Sequence, residues 1–342
     1  MLLTAKYDFL PFEGVKKLFD ETNRLYEVAG VKNNSAIAIA DEMHGYTYPL
    51  AKSAAEFFQK HLCDTESFED KEFIVNEESM LYCTKSGNVA LDIKDSLTIF
   101  DENLIKYNKI LENKPTEQEK EKFFKERIYY NRPENFEVYI RKITGKWYTF
   151  AEDGIWIEPY VWLTHENMSC YGIVLKKEEN KDKNLPITLC LWSGGTDKLA
   201  ENSSKINEII DSGRSAFIID LTAMGKCAPF NMRNGTDVNA PISSMTDKIA
   251  KSLFLTGDSL CALRAYDLIT SLKMIKKEFT TDIELYTKGN YCIYGRITEL
   301  FDKEIKYSFE SEVKIADIVK TKYYETYDIA HIIMPEIGKY LD

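Results

Sequence analysis

Long hydrophobic runs are missing from this 342-residue sequence. No stretch approaches the ~18 apolar residues that a membrane-spanning helix requires, so no membrane partner is expected. Basic charge is also in short supply: Lys and Arg number 44 against 55 Asp and Glu, for a formal net charge of −11. Binding a phosphate backbone needs a basic surface, so no nucleic-acid partner is expected either. Histidine is scarcer still, with only His44, His61, His165 and His331, and none lies in a His-Glu-x-x-His or Cys/His metal spacing. The sequence also lacks a P-loop and a dinucleotide fingerprint, so neither metal nor cofactor is expected. The seven cysteines are scattered, odd in number and without Cys-x-x-Cys, which reads as reduced, mostly buried thiols. "MLLTAKYDFL" has no charged region ahead of a long apolar core and no small-residue cleavage site, so no signal peptide is expected and a cytoplasmic location is favoured.

What is present is an ordinary globular composition, 44% hydrophobic and 29% charged, in a chain long enough for two domains. Three stretches differ in pattern. Residues 1–62 read strand, helix, strand, helix. "LLTA" is followed after Pro11 by a helix with Val15, Leu18, Phe19, Thr22, Leu25 and Tyr26 on one face and Gly30 beyond its end. "SAIAIA" is a near-continuous apolar strand, the pattern of a strand covered on both faces. Thr47 and Pro49 then open a helix expected to bury Leu50, Ala54, Phe57 and Phe58. Residues 63–145 read as a connecting region, with two short strands around Lys85-Ser86-Gly87-Asn88 and a charged, Pro-bracketed helix in "NKPTEQEKEKFFKERIYYNRPENF". Residues 146–342 alternate strands ("YGIVLK", "ITLCLW", "AFIIDL", "IELYT") with helices. One long helix carries Cys261, Ala265, Leu268, Leu272 and Ile275 at helical spacing. This predicts an α/β fold, a mostly parallel sheet covered by helices on both faces.

Several pieces together resemble a known family. "AKYDFLPFEG … RLYEVAG … IAIADEMHGYTYPLAKSAAEFFQKHL" resembles the last third of an α/β-hydrolase of the acetyl xylan esterase and prolyl-oligopeptidase-like group. "LCLWSGGTDK", "AFIIDLTAMGK", "LTGDSLCALRAYDLITSLKMI" and "IELYTKGNYCIYGRITELFDKEIK" resemble the first two thirds of a second such unit, as in bacterial proteins with two units in tandem. The resemblance implies that Asp8 is the triad acid and His44 the triad base, in the order that follows the nucleophile in this fold. It also implies that the nucleophile turn is "YTKGNYC", where Gly289 stands in place of serine between Thr287 and Tyr291. Glycine has no side chain to attack a carbonyl, and losing a triad serine costs roughly six orders of magnitude in kcat in a well-studied hydrolase. The loop "LWSGGTD" occupies the oxyanion-hole position, so the N–H groups around Gly194 and Gly195 are either oxyanion donors or part of a tight turn.

Other serines and aromatics have a plainer reading beside the chemical one. Gly257-Asp258-Ser259-Leu260 spells the name of a separate esterase group, but it introduces a long helix, where Asp258 or Ser259 serves as a cap. Ser53 is a helix residue, and Ser193 lies at a strand end. "WIEPYVW" and "TKYYETYD" offer either a sugar-stacking platform or half-buried core. Three accounts follow. In the first, the chain is the C-terminal part of a tandem esterase, inactive alone, with Asp8 and His44 serving a serine encoded upstream. That protein would hydrolyse acetyl esters of a polysaccharide, and the chain's partner would be the remainder of the first unit. In the second, residues 1–62 and 146–342 close one circularly permuted sheet, a pseudo-hydrolase that binds an ester or carbohydrate ligand without cleaving it. In the third, Cys292 is an unrecognised nucleophile.

Overall fold

The computed structural model describes residues 1–63, 76–144, 150–152, 154–166, 168–229, 245–279, 281–322 and 329–341. The chain divides into two compact units, Met1–Ile93 and Lys94–Asp342. The division falls inside the stretch read as a connector.

The first unit is built on two strands, β1 (Leu2–Tyr7) and β2 (Ile37–Met43), paired in parallel with Leu2 opposite Ile37 and Tyr7 opposite Met43. Parallel neighbours need a crossover, and α1 (Phe12–Val28) supplies it. It begins just after Pro11, whose fixed φ suits a helix start, and ends before Gly30, at φ +74°. Thr47 precedes α2 (Tyr48–Leu62), with Pro49 in its first turn. The expected apolar faces are covered less than their sequence implies. No residue of α1 is buried, and Leu25 is 70% exposed. Of β2 only Ala40 is buried, so the doubly covered strand expected there is not found. In α2, Leu50 and Ala54 are buried, whereas Phe58 is exposed. The expected hairpin around Lys85–Asn88 is also corrected where described. Glu78–Leu81 is a 3₁₀ turn and α3 (Val89–Asp92) a single helical turn, started by Asn88 Oδ1 accepting from Ala90 N–H at 3.0 Å. A local Asx cap there satisfies the backbone that a strand ladder would have used.

The second unit holds an eight-stranded sheet. Its strands are β3 (Ile140–Lys142), β4 (Phe150–Glu152), β5 (Ile155–His165), β6 (Met168–Lys177), β7 (Ile187–Leu191), β8 (Ser215–Asp220), β9 (Ile283–Lys288) and β10 (Lys306–Glu310). Their order is β10-β9-β7-β8-β6-β5-β3, with β4 also on β5. The pairs β10–β9, β9–β7 and β7–β8 are parallel; β6, β5, β3 and β4 add an antiparallel flank. The two-stranded and eight-stranded sheets are separate in the described pairings, which do not include a single permuted sheet.

Alternation along the parallel strands explains the helices on both faces. Leu189 and Leu191 of β7, Phe217 and Ile219 of β8, and Leu285 of β9 enter one core, with α5 (Glu117–Ile128), α8 (Leu260–Phe279) and α9 (Cys292–Phe301). Cys190, Ala216, Ile218 and Tyr286 point the other way, onto Ile206, Ile209 and Ile210 of α6 (Ser203–Asp211). All five positions spaced along α8 are buried, as expected. The charged helix α5 is not a bridge. Thr116 and Glu119 cap it reciprocally, while Phe123, Phe124 and Ile128 sink into the main core. Its exposed face carries the charge and its hidden face carries the packing.

Candidate active site

In the first unit, Asp8 and His44 follow the ends of adjacent parallel strands, where Tyr7 lies opposite Met43. This register sets the two side chains together. His44 Nδ1 lies 2.9 Å from Asp8 Oδ2, and Asp8 Oδ1 accepts the Leu10 N–H at 2.9 Å. The Leu10 N–H, and then the His44 contact, hold the Asp8 carboxyl below its ordinary range. An ionised carboxylate can only accept, so Nδ1 is the donor in this contact. The acid is covered and the base is open: the Asp8 side chain is 10% exposed and that of His44 59%. Phe9 lies against the imidazole with ring centroids 4.4 Å apart. Ser53 Oγ donates to the Pro49 carbonyl one helical turn back, the plain helix role read for it.

In the second unit, α6 leads from β7 to β8, whereas β9 returns to the opposite side of β7. The winding therefore reverses at β7 and β9, and the crevice outside their carboxyl ends is where such sheets take ligands. The two loops at that crevice are the ones singled out in the sequence. Gly289 follows β9, has φ +63°, and opens a 3₁₀ turn (Gly289–Tyr291) into α9. The local shape is strand, tight turn, helix, with glycine at the turn. A Cβ at Gly289 would meet nothing within 4 Å. We therefore expect Gly289→Ser to cost only the left-handed strain, about 1–2 kcal/mol, in a urea denaturation. A loss well beyond that would mean the turn is packed.

Cys292, the alternative nucleophile read from the sequence, is not an activated thiol. It is buried, its Sγ lies 3.4 Å from the Thr287 carbonyl, and burial pushes its thiol pKa up, the reverse of an activated thiolate. At the Gly194–Gly195 loop, the Gly195 and Thr196 N–H groups already have partners. Gly195 N–H donates to the Trp192 carbonyl at 3.1 Å, and Trp192 Nε1 donates to the Gly195 carbonyl at 2.9 Å. The next N–H, of Thr196, goes to Asp220 at 2.8 Å. Ser193 is exposed beside this loop.

Ser259 is 2% exposed, and its Oγ accepts the Ala262 N–H at 3.0 Å, an N-cap of α8. Asp258 is held by both terminal nitrogens of Arg132, at 2.6 and 2.9 Å. "WIEPYVW" belongs to strand and core. Trp162 is buried with Nε1 donating to Ser271 at 2.8 Å, and Trp156 and Tyr160 both donate to Glu158. Residues 323–328 of "TKYYETYD" lie outside the described residues.

Sequence reasoning missed two buried carboxylates. Asp220, at the end of β8, accepts from the Thr196 hydroxyl, Thr196 N–H and Lys226 N–H. Asp267 accepts from the Thr164 hydroxyl and from Thr222 N–H at 3.0 Å. Burial raises both pKa values. The available signal was an Asp closing the apolar strand "AFIID", close to two glycine turns. No group of His, Cys, Asp and Glu suited to a metal occurs among the described residues.

No protein-family profile and no curated protein matches the chain. Solved structures resemble it. A putative acetyl xylan esterase from Bacteroides fragilis NCTC 9343 is 13% identical with a TM-score of 0.47, over 64% of this chain and 62% of that one. An acetyl xylan esterase from Paenibacillus sp. R4 is 14% identical with a TM-score of 0.33, over 58% and 61%. A glucuronoyl esterase from Solibacter usitatus is 11% identical with a TM-score of 0.33, over 66% and 60%. The chain thus spans about three fifths of the length of each of these proteins. The α/β architecture is read from the chain's own sheet and helices.

Proposed function

We propose that this chain carries the acid and base of a carboxylic-ester hydrolase, Asp8 and His44, whose serine nucleophile comes from outside these residues. The second unit is then a hydrolase-like unit without a nucleophile. The observation that carries the reading is the Nδ1–Oδ2 contact of 2.9 Å at adjacent carboxyl ends of two parallel strands. An exposed ion pair alone would be a weak argument, since such pairs contribute about 0–1 kcal/mol. The asymmetry is what supports chemistry: the acid is mostly covered, with a hydrogen bond at each oxygen, while the imidazole is presented outward. In the reaction, His44 Nε2 would take the serine proton, and Asp8 would hold the tautomer and stabilise the imidazolium. The substrate class, an acetyl ester of a polysaccharide, rests on the resemblance of the sequence.

The chain alone is accordingly expected to be inert. It should take no covalent label from a fluorophosphonate and should hydrolyse p-nitrophenyl acetate no faster than its His44→Ala variant. Serine labelling that disappears in His44→Ala would place the nucleophile within the chain and overturn the proposal. The coding sequence preceding Met1 offers a second check, since it should encode a strand, a Gly-x-Ser-x-Gly turn and a helix. A stop codon directly before Met1 would leave the second reading, a hydrolase-like protein that binds without cleaving. The side-chain-free elbow at Gly289 favours that reading.

A further inference from the structure

Lys176 on β6 is a buried cation with poor partners. Its side chain is 8% exposed, and among the described residues its ammonium reaches the Lys183 carbonyl at 3.4 Å and Glu158 Oε1 at 3.9 Å. Glu158 is already committed elsewhere. Its Oε1 accepts from Lys142 Nζ at 2.6 Å and Trp156 Nε1 at 2.9 Å, and its Oε2 accepts from the Tyr160 hydroxyl at 3.0 Å. Lys142 therefore neutralises the carboxylate, and the second ammonium is left with long contacts only. Burial pulls the Lys176 pKa down, as expected of a cation short of counter-charge. Proteins seldom bury an ammonium on such terms, because losing hydration costs more than long contacts return.

The side chain borders a cavity of about 270 Å³. Lys142, Lys181 and Lys183 share its wall with Ser215, and the carboxylates facing it are Glu158 and Asp182. Four lysines against two carboxylates make a basic recess on a chain of net charge −11. Ile187 and Ser215, the first residues of β7 and β8, also line it, so it lies at the end of the sheet opposite the Gly289 turn.

We propose that this recess is a binding site for a phosphate-type oxyanion, either free or as the phosphoryl group of a small ester, with Lys176 as its buried counter-ion and Lys183 at its mouth. A tetrahedral oxyanion offers several acceptors to ammonium groups arriving from different directions, and lysine serves phosphate as a point charge. The test is calorimetric titration of the whole chain with inorganic phosphate and with glycerol 3-phosphate, at ionic strength matched with chloride. Saturable binding at one site is expected. Lys176→Met should weaken it at least about tenfold, the worth of one charge-assisted hydrogen bond, and Lys183→Ala severalfold. Tighter binding of the monoester assigns the site to an organic phosphate, and tighter binding of inorganic phosphate to the free anion. Absence of saturable binding overturns the proposal, as does unchanged affinity in a folded Lys176→Met protein. Should Lys176→Met fail to fold by circular dichroism, the exposed Lys183→Ala decides: unchanged affinity in that variant is equally fatal.

Discussion

Gly195→Ala is expected to cost the second unit on the order of 4 kcal/mol or more, through overpacking together with left-handed strain. Gly195 has φ +49°, where a Cβ is strained in any surroundings. Here the surroundings are worse than the dihedral: the Cβ would sit 1.8 Å from Asp220 Oδ1. That oxygen cannot move aside freely. Asp220 is fully buried and receives the Thr196 N–H at 2.8 Å and the Lys226 N–H at 2.9 Å. Displacing it orphans those donors, at about 1–3 kcal/mol for each group left unsatisfied. Gly225 approaches the same carboxylate from another side, its own Cβ position lying 2.3 Å from Oδ1. Urea denaturation of Gly195→Ala beside Gly289→Ser separates packing from backbone strain, because both glycines are left-handed and only one is crowded. Equal losses in the two variants would show that the Asp220 cluster gives way easily.

Arg132→Ala is expected to lose about 3–5 kcal/mol, the usual result of removing one partner from a buried ion pair. Arg132 and Asp258 are 5% and 9% exposed as side chains, joined through two short bonds. The guanidinium has a second duty. Its Nε donates to the Ile128 carbonyl at 2.7 Å and its Nη2 to the Arg127 carbonyl at 3.0 Å, closing the end of α5. Truncation thus strands a carboxylate at the start of α8 and two carbonyls at the end of α5. In a thermal melt the drop should be on the order of 10 °C for a unit of this size. Removing Asp258 as well, in Arg132→Ala/Asp258→Ala, should recover part of the loss, since no charge is then left unpaired. Additive losses would mean that the helix end, rather than the ion pair, carries the effect.

Arg132–Asp258 also shows what was hidden in the sequence. The letters Gly-Asp-Ser-Leu were legible as a helix start, but nothing local announced an arginine far upstream as the partner of Asp258. Periodicity located α8 because Cys261, Ala265, Leu268, Leu272 and Ile275 form one continuous apolar stripe, although polar residues such as Asp267 and Ser271 are buried beside it. It misplaced the hairpin around Gly87 because short polar segments adopt caps and turns as readily as strands. It misread α5 because a charged surface obscures the three apolar residues, Phe123, Phe124 and Ile128, that seat the helix. At the site, Asp8 and His44 were singled out only through the family resemblance; what the fold adds is that parallel strands of matched register end side by side and set the two side chains in contact. The fate of the loop N–H groups around Gly195 was not legible, because it depends on Trp192 and Asp220 lying where only the folded sheet puts them.

α1, the crossover helix with no buried side chain, has a consequence for the pair beside it. Its 17 residues are held chiefly by their own backbone ladder, and helices of about that length are marginal in isolation. Its amides therefore belong at the fast-exchanging end of the molecule, opening locally without global unfolding. Asp8 stands just ahead of this helix, its carboxylate steered by the Leu10 N–H. Each opening of the helix loosens the segment that aims the acid. The Asp8–His44 contact is thus expected to open along with the helix, and amide exchange of residues 12–28 would report how often.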